Sequence, residues 1–171
     1  PNGGFDALLA ASLFSDGVAA VVITGSDGDS GELMIEDFHS RVVPDTDNLM
    51  AWRIGDQGFD LQLSPYVSRV LGANIHELLP GNWRQELGDH WIVHPGGKSI
   101  LDRVEASLDL TSHALSESRK VLREFGNMSS ATVLFILERF LVKKEVLPGE
   151  TLRMLGFGPG LTVKAMALRG I

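Results

Sequence analysis

The chain has 171 residues, carries a net charge of −7 and contains no cysteine. That length is expected to form a single domain, residues 1–171, with a core that needs no staple, and 44% apolar with 22% charged residues is the composition of a soluble globular protein. The acidic balance argues against a nucleic-acid partner, apolar runs far short of the roughly 20 residues that span a bilayer argue against a membrane, and the missing thiol excludes disulfides and cysteine nucleophiles from this chain.

Pro1-Asn2-Gly3-Gly4 is polar and turn-like and does not read as a secretory signal, which leaves cytoplasmic residence as the default expectation. A start at Pro1 rather than methionine reads as a trimmed or processed product. Asp6 to Phe14 predicts a short helix, Ser15-Asp16-Gly17 a turn, and Val18 to Ile23 a buried β-branched strand. Gly25 to Gly31 is a loop of turn residues. Its Asp27 and Asp29 have calcium-loop spacing, but Gly31 stands at the fifth position and Glu32 where glycine is required, so no metal is expected. Glu32 to Val43 predicts a strand and Pro44 to Asp47 a turn.

Met50 to Leu63 predicts a hairpin turning at Gly55-Asp56-Gln57-Gly58, with Phe59, Leu61 and Leu63 alternating with Asp60 and Gln62. Ser64-Pro65 predicts an N-cap and first helical residue, ahead of a stripe formed by Val67, Val70, Leu71, Ile75 and Leu78. Pro80-Gly81 ends that helix, and Asn82 to His90 reads as a polar connection.

The most informative stretch is Trp91-Ile-Val-His94-Pro-Gly-Gly-Lys98. It predicts a buried strand, a tight turn and a helix whose inner face carries Ile100, Leu101, Val104 and Leu108. His94 then sits where a strand end meets a helix start, the place where open α/β sheets keep their chemistry. A lone histidine is also readily a satisfied structural residue. A second helix follows through Leu115, Ser118, Leu122 and Phe125, with Arg119, Lys120, Arg123 and Glu124 facing water, and Gly126 stops it. Asn127 or Ser129 caps a third helix, apolar nearly all round and therefore expected to be buried. After a charged loop from Lys143 to Glu150, two strands close the chain, Leu152 to Leu155 and Leu161 to Leu168. Gly156, Gly158 and Gly160 between them are not a dinucleotide fingerprint, because Pro159 intrudes and a strand follows. They predict a tight connection that brings backbone close to a ligand or another segment.

HPGGK, then Gly126-Asn-Met-Ser-Ser-Ala131, then Gly156-Phe-Gly-Pro-Gly-Leu161, in this order, resemble the C-terminal half of the chalcone and stilbene synthase family, the type III polyketide synthases. The resemblance runs from Leu13-Phe-Ser-Asp-Gly17, where Ser15 replaces the usual glycine, to Leu168, and Trp52 to Phe59 looks bacterial. It implies an α/β fold, the C-terminal half of a thiolase-like fold with a mixed sheet of about five strands covered by helices. Members are roughly twice as long, and their nucleophilic cysteine lies in the half that this chain lacks.

The resemblance also implies roles. His94 and Asn127 match the family's catalytic pair, donors to the thioester oxygen that gains charge when malonyl-CoA loses carbon dioxide, and His94 is expected to support the cysteine as thiolate. Phe14 and Phe59 match the phenylalanines that narrow the passage to the active site. Met50, Ser129 and the run Gly156, Phe157, Gly158, Pro159, Gly160 are expected to bind substrate along the cyclisation cavity, and a bulky Met50 fits a long, slender acyl starter. The implied partners are an acyl-CoA starter, malonyl-CoA, the N-terminal half of the same enzyme and, when intact, a second subunit of a homodimer. Coenzyme A thioesters are substrates and no cofactor is implied. The alternatives are a non-catalytic thiolase-like domain and half of another condensing enzyme, a ketoacyl-CoA or ketoacyl-ACP synthase. Phe14 and Phe59 are equally readable as ordinary core and strand residues, and Asn127 as a simple cap.

Overall fold

The structure is a computed structural model, and it describes residues 8, 11–25, 32–56, 58–84 and 88–171. Along the chain come β1 (Leu33–Val42), β2 (Met50–Gly55), β3 (Gly58–Leu63), α1 (Val67–Leu78), β4 (His90–Val93), α2 (Lys98–Ser107), α3 (Ser116–Phe125), α4 (Ala131–Lys143), β5 (Thr151–Gly158) and β6 (Thr162–Gly170). The main sheet has the order β1-β6-β5-β4, and β2 with β3 forms a separate hairpin. β6 is antiparallel to β1 and β5, while β4 is parallel to β5, so the sheet is mixed. The parallel step requires a crossover, which α2, α3 and α4 supply.

Alternation along the strands sorts the core into two layers. Trp91, Val93, Leu155, Val163, Ala165 and Ala167 face α1 and α2, where Leu71, Ile75, Leu101 and Val104 are fully buried. Ile92, Leu152 and Leu168 face the other way, against Val121 of α3 and Ile136, Leu137 and Phe140 of α4. Each side chain with no exposed surface contributes about 2 kcal/mol of apolar burial. Glu117 of α3, only 4% exposed, ties the two helices of this second layer together. It meets Lys120 at 2.6 Å and Lys143 of α4 at 2.7 Å. Burial alone would raise its carboxyl, but hydrogen bonds from Lys120 and Lys143 override this and hold it at about 2.

Several local expectations are corrected. Val18 to Ile23 forms no strand; it is extended chain with Val18 and Val22 each 88% exposed. β-Branched residues favour a strand only when a neighbour completes the ladder, and no described strand pairs with this segment. The expected Asp6–Phe14 helix appears as a helical turn ending at Leu13, the rest lying outside the described residues, as do Asp27 and Asp29. α1 starts at Val67, because Ser64 instead closes a turn: its Oγ accepts the Tyr66 N–H at 3.2 Å and its carbonyl the Val67 N–H at 3.2 Å. His90 is a strand residue, paired with Glu150 at 2.9 Å. Arg119 is half-buried between Asp102 at 2.7 Å and Glu105 at 2.5 Å, while Phe125, expected inside, is 42% exposed. α4 buries one face only, and its Val142 is 76% exposed.

Candidate active site

β4 ends at Val93, but the chain holds to β5 for one residue more: the His94 N–H donates to the Leu155 carbonyl at 2.8 Å. Pro95 has no N–H to continue the ladder. The Gly96 N–H turns back onto the His94 carbonyl at 2.9 Å, and α2 begins at Lys98. This geometry leaves the imidazole at the mouth of the sheet. Burial pushes its pKa down to about 4. At neutral pH the ring is therefore uncharged, with one N–H donor and one bare nitrogen.

Asn127 is fixed from several directions. Its N–H donates to the Leu13 carbonyl at 2.9 Å, and its carbonyl accepts the Ser15 N–H at 2.9 Å, a short parallel bridge centred on Phe14. Its side-chain Oδ1 accepts the Ser129 N–H at 2.9 Å. An N–H can bond only to the oxygen end of an amide, so Nδ2 is left as the outward donor. The expected cap is thus a different device: Asn127 closes a turn before the helix, and Ser130 occupies the cap position without a side-chain bond. Ser129 takes a left-handed φ of 56°, at a cost of about 1 kcal/mol. Thr132 holds that conformation, its Oγ accepting the Met128 N–H and donating to the Ser129 carbonyl, both at 2.9 Å.

A cavity of about 950 Å³ opens beyond the C-terminal ends of β4 and β5, and His94 and Asn127 both border it. Among the expected residues, Phe14, Met50 and Ser129 also line it, as do Gly156, Phe157, Gly158 and Pro159. Gly160 does not; its carbonyl accepts the Thr46 hydroxyl at 3.0 Å, anchoring the turn behind the wall. Phe59 does not either. It sits at the hairpin tip, 70% exposed, with its ring on Trp52 at 6.2 Å between centroids. Leu61, two residues along the same face, lines the cavity instead, with its cross-strand partner Trp52 and with Leu63. The alternation of Phe59, Leu61 and Leu63 with Asp60 and Gln62 carried the signal for Leu61 and Leu63. Lys98, Thr162 and Lys164 add to the polar part of the wall, and no motif in the sequence marks them as lining. Among the described residues no cluster of histidine, aspartate and glutamate could hold a metal, and no helix is long and apolar enough to cross a membrane.

A mixed sheet covered by helices, with a histidine and an asparagine at a cavity beyond its strand ends, defines a thiolase-like domain. Residues 35–171 match the family described as chalcone and stilbene synthases, C-terminal domain. The chain is 36% identical to bisdemethoxycurcumin synthase of Oryza sativa subsp. japonica over 184 residues, which cover 98% of this chain and 46% of that protein. It superposes on the crystal structure of PKS-I from the brown alga Ectocarpus siliculosus with a TM-score of 0.76 and 29% identity, covering 85% of this chain and 41% of that one. The chain belongs to the chalcone and stilbene synthase family, the family expected from HPGGK, GNMSSA and GFGPGL, and it spans about half the length of these relatives.

Proposed function

We propose that the chain is the C-terminal domain of a type III polyketide synthase, and that it supplies two oxyanion donors and part of the extension cavity for condensing malonyl-CoA with an acyl-CoA starter. The observation that carries this reading is the convergence of His94 and Asn127 on one mostly apolar cavity. Both present N–H donors that need no charge, since the imidazole is neutral and the Asn127 amide is locked oxygen-inward by Ser129. When malonyl-CoA loses carbon dioxide, negative charge collects on the thioester oxygen; each fixed donor aimed there contributes about 3 kcal/mol to the transition state. The resulting enolate carbon attacks a cysteine-bound thioester, forms the new carbon–carbon bond and releases the thiolate.

That cysteine must come from the complementary N-terminal half, because the chain contains none. A thiolate docked beside His94 would raise the imidazole from about 4 and favour the ion pair. The wide exposure of Val18, Val22 and Ile23 fits a surface that the other half covers. On this reading the domain is 1–171, the intact enzyme is a cytoplasmic homodimer, coenzyme A thioesters are its substrates without a further cofactor, and Met50 in the wall favours a slender acyl starter.

The test mixes the chain with a separately produced, cysteine-bearing N-terminal half of its parent, then follows radiolabelled malonyl-CoA. Carbon dioxide release and extended product are expected only from the mixture. His94→Ala and Asn127→Ala should each reduce release by about 10²–10³ with circular dichroism unchanged. Turnover by the isolated chain would sink the reading in favour of a different condensing chemistry, and a mixture indifferent to both substitutions would sink it in favour of a non-catalytic domain.

A further inference from the structure

Val93, Leu155 and Ala165 are partners across β4, β5 and β6. The next row continues this register: His94, held to β5 through the Leu155 carbonyl, then Gly156, then Lys164, and on β1 Ser40. Residues in one row project to the same face of a sheet. His94 and Lys164 therefore look into the cavity from the same side, two strand spacings or about 10 Å apart. Between them stands Gly156, where an added methyl group would meet no atom within 4 Å. The row is an open floor with an imidazole at one end and an ammonium at the other.

The Lys164 ammonium is held but not neutralised. Nζ donates to the Ser40 hydroxyl at 2.7 Å and lies 5.7 Å from the centre of the Phe38 ring. Among the described residues Lys164 makes no ion pair, whereas Lys98, the other lysine at the cavity, is paired with Asp102 at 2.6 Å. An ammonium has three donors, and one bond to a neutral hydroxyl leaves capacity for an anionic oxygen.

We infer that Lys164, steadied from behind by Ser40, forms an oxyanion-reading subsite at the open end of the cavity, which selects acyl chains bearing a carboxylate or an enolised 1,3-dicarbonyl at the end remote from the thioester. The inference rests on the function proposed above and adds to it a specificity-determining residue. A chain anchored beside His94 lies over Gly156 and delivers its far oxygen to Nζ; a purely hydrocarbon end offers that ammonium no acceptor.

Decanoate and 1-decanol serve as probes of equal length that differ at the oxygen end. Their binding to the 171-residue chain is measured at neutral pH by calorimetry, with Trp52 in the wall as a fluorescence reporter. The wild-type chain should prefer decanoate by about tenfold, the strength of one charge-assisted hydrogen bond. Lys164→Met should abolish the preference and leave decanol binding unchanged, and Lys164→Arg should retain it. Equal binding of the two probes to the wild-type chain, or a preference that survives Lys164→Met, overturns the subsite and leaves the proposed function standing. Failure of both probes to bind overturns the subsite and the acyl cavity together.

Discussion

Ser129 donates its main-chain N–H to the side-chain oxygen of Asn127 at 2.9 Å, and this single bond decides which end of the amide faces the cavity. Asn127→Asp keeps the acceptor and replaces the outward amine with oxygen. Asn127 is only 3% exposed, so a carboxylate there should lower the thermal midpoint, and in the reconstituted enzyme malonyl-CoA decarboxylation should fall by about 10² or more, because a donor becomes a repelling charge. Asn127→Ala should lose both, with about 1 kcal/mol of stability gone from the turn. An aspartate variant as active as wild type would remove Asn127 from the chemistry.

His94 makes stability depend on pH in a window of its own. Its folded pKa is about 4 against the ordinary 6.5. Between those values the unfolded chain binds a proton that the folded chain refuses, so stability rises with pH. The stability is complete above about 6.5 and declines as the pH falls, the loss amounting to about 3 kcal/mol once pH 4 is reached. Urea unfolding of wild type and His94→Gln across this range should give a sloping curve for the first and a flatter one for the second. Glu117 contributes in a lower window, from 4.5 down to about 2, so the two effects separate. Parallel curves for the two proteins would mean that the imidazole is not buried as described.

How much of this could be read from the residues alone depends on what each inference needed. Ile100, Leu101, Val104 and Leu108 were legible as one inner face because helical spacing depends only on local geometry, and all four are buried. Val163, Ala165 and Ala167 were legible for the same reason with a period of two. Val18 to Ile23 misled because a β-branched run reads as a strand whether or not a neighbour exists to pair with it. Phe59 and Leu61 share a face and a period; only the hairpin's position over the cavity tells the wall residue from the one at the tip. Lys164 went unnoticed because its significance lies in the row with His94 and Gly156, which sheet order creates and sequence distance hides.

Thr46 should prove disproportionately important for its size. It is 6% exposed, and its hydroxyl contacts the Val43 carbonyl at 2.7 Å and the Gly160 carbonyl at 3.0 Å while accepting the Leu161 N–H at 2.8 Å. It thus pins the turn that follows the cavity-lining Gly158 and Pro159. Thr46→Val keeps the shape and strands the Leu161 N–H, at a cost of about 2 kcal/mol. Thr46→Ser should cost much less. Denaturant titration should report the valine variant as a lower midpoint with an unchanged slope. Equal midpoints for the valine variant and wild type would show that the turn does not need this anchor.

Gly126 carries the closest coupling between fold and site. It ends α3 with φ of +75°, and an added Cβ would lie 2.9 Å from the Ser15 hydroxyl oxygen and 3.1 Å from the Leu13 carbonyl oxygen. Leu13 and Ser15 are the residues that grip the Asn127 main chain on both sides. With ψ of −163°, Gly126 lies in a region essentially reserved for glycine, so Gly126→Ala adds a clash with the Ser15 side chain and a tight contact with the Leu13 carbonyl to a conformational cost of about 1–3 kcal/mol. Gly149 supplies the control, with φ of +88° and nothing within 4 Å of an added Cβ. Gly149→Ala should cost only the conformational part. Gly126→Ala should cost about 1 kcal/mol or more beyond that, and faster amide exchange at Asn127 and Ser15 should accompany it. If the two variants are equally stable and Asn127 exchanges no faster, the Leu13–Ser15 clamp does not position the asparagine.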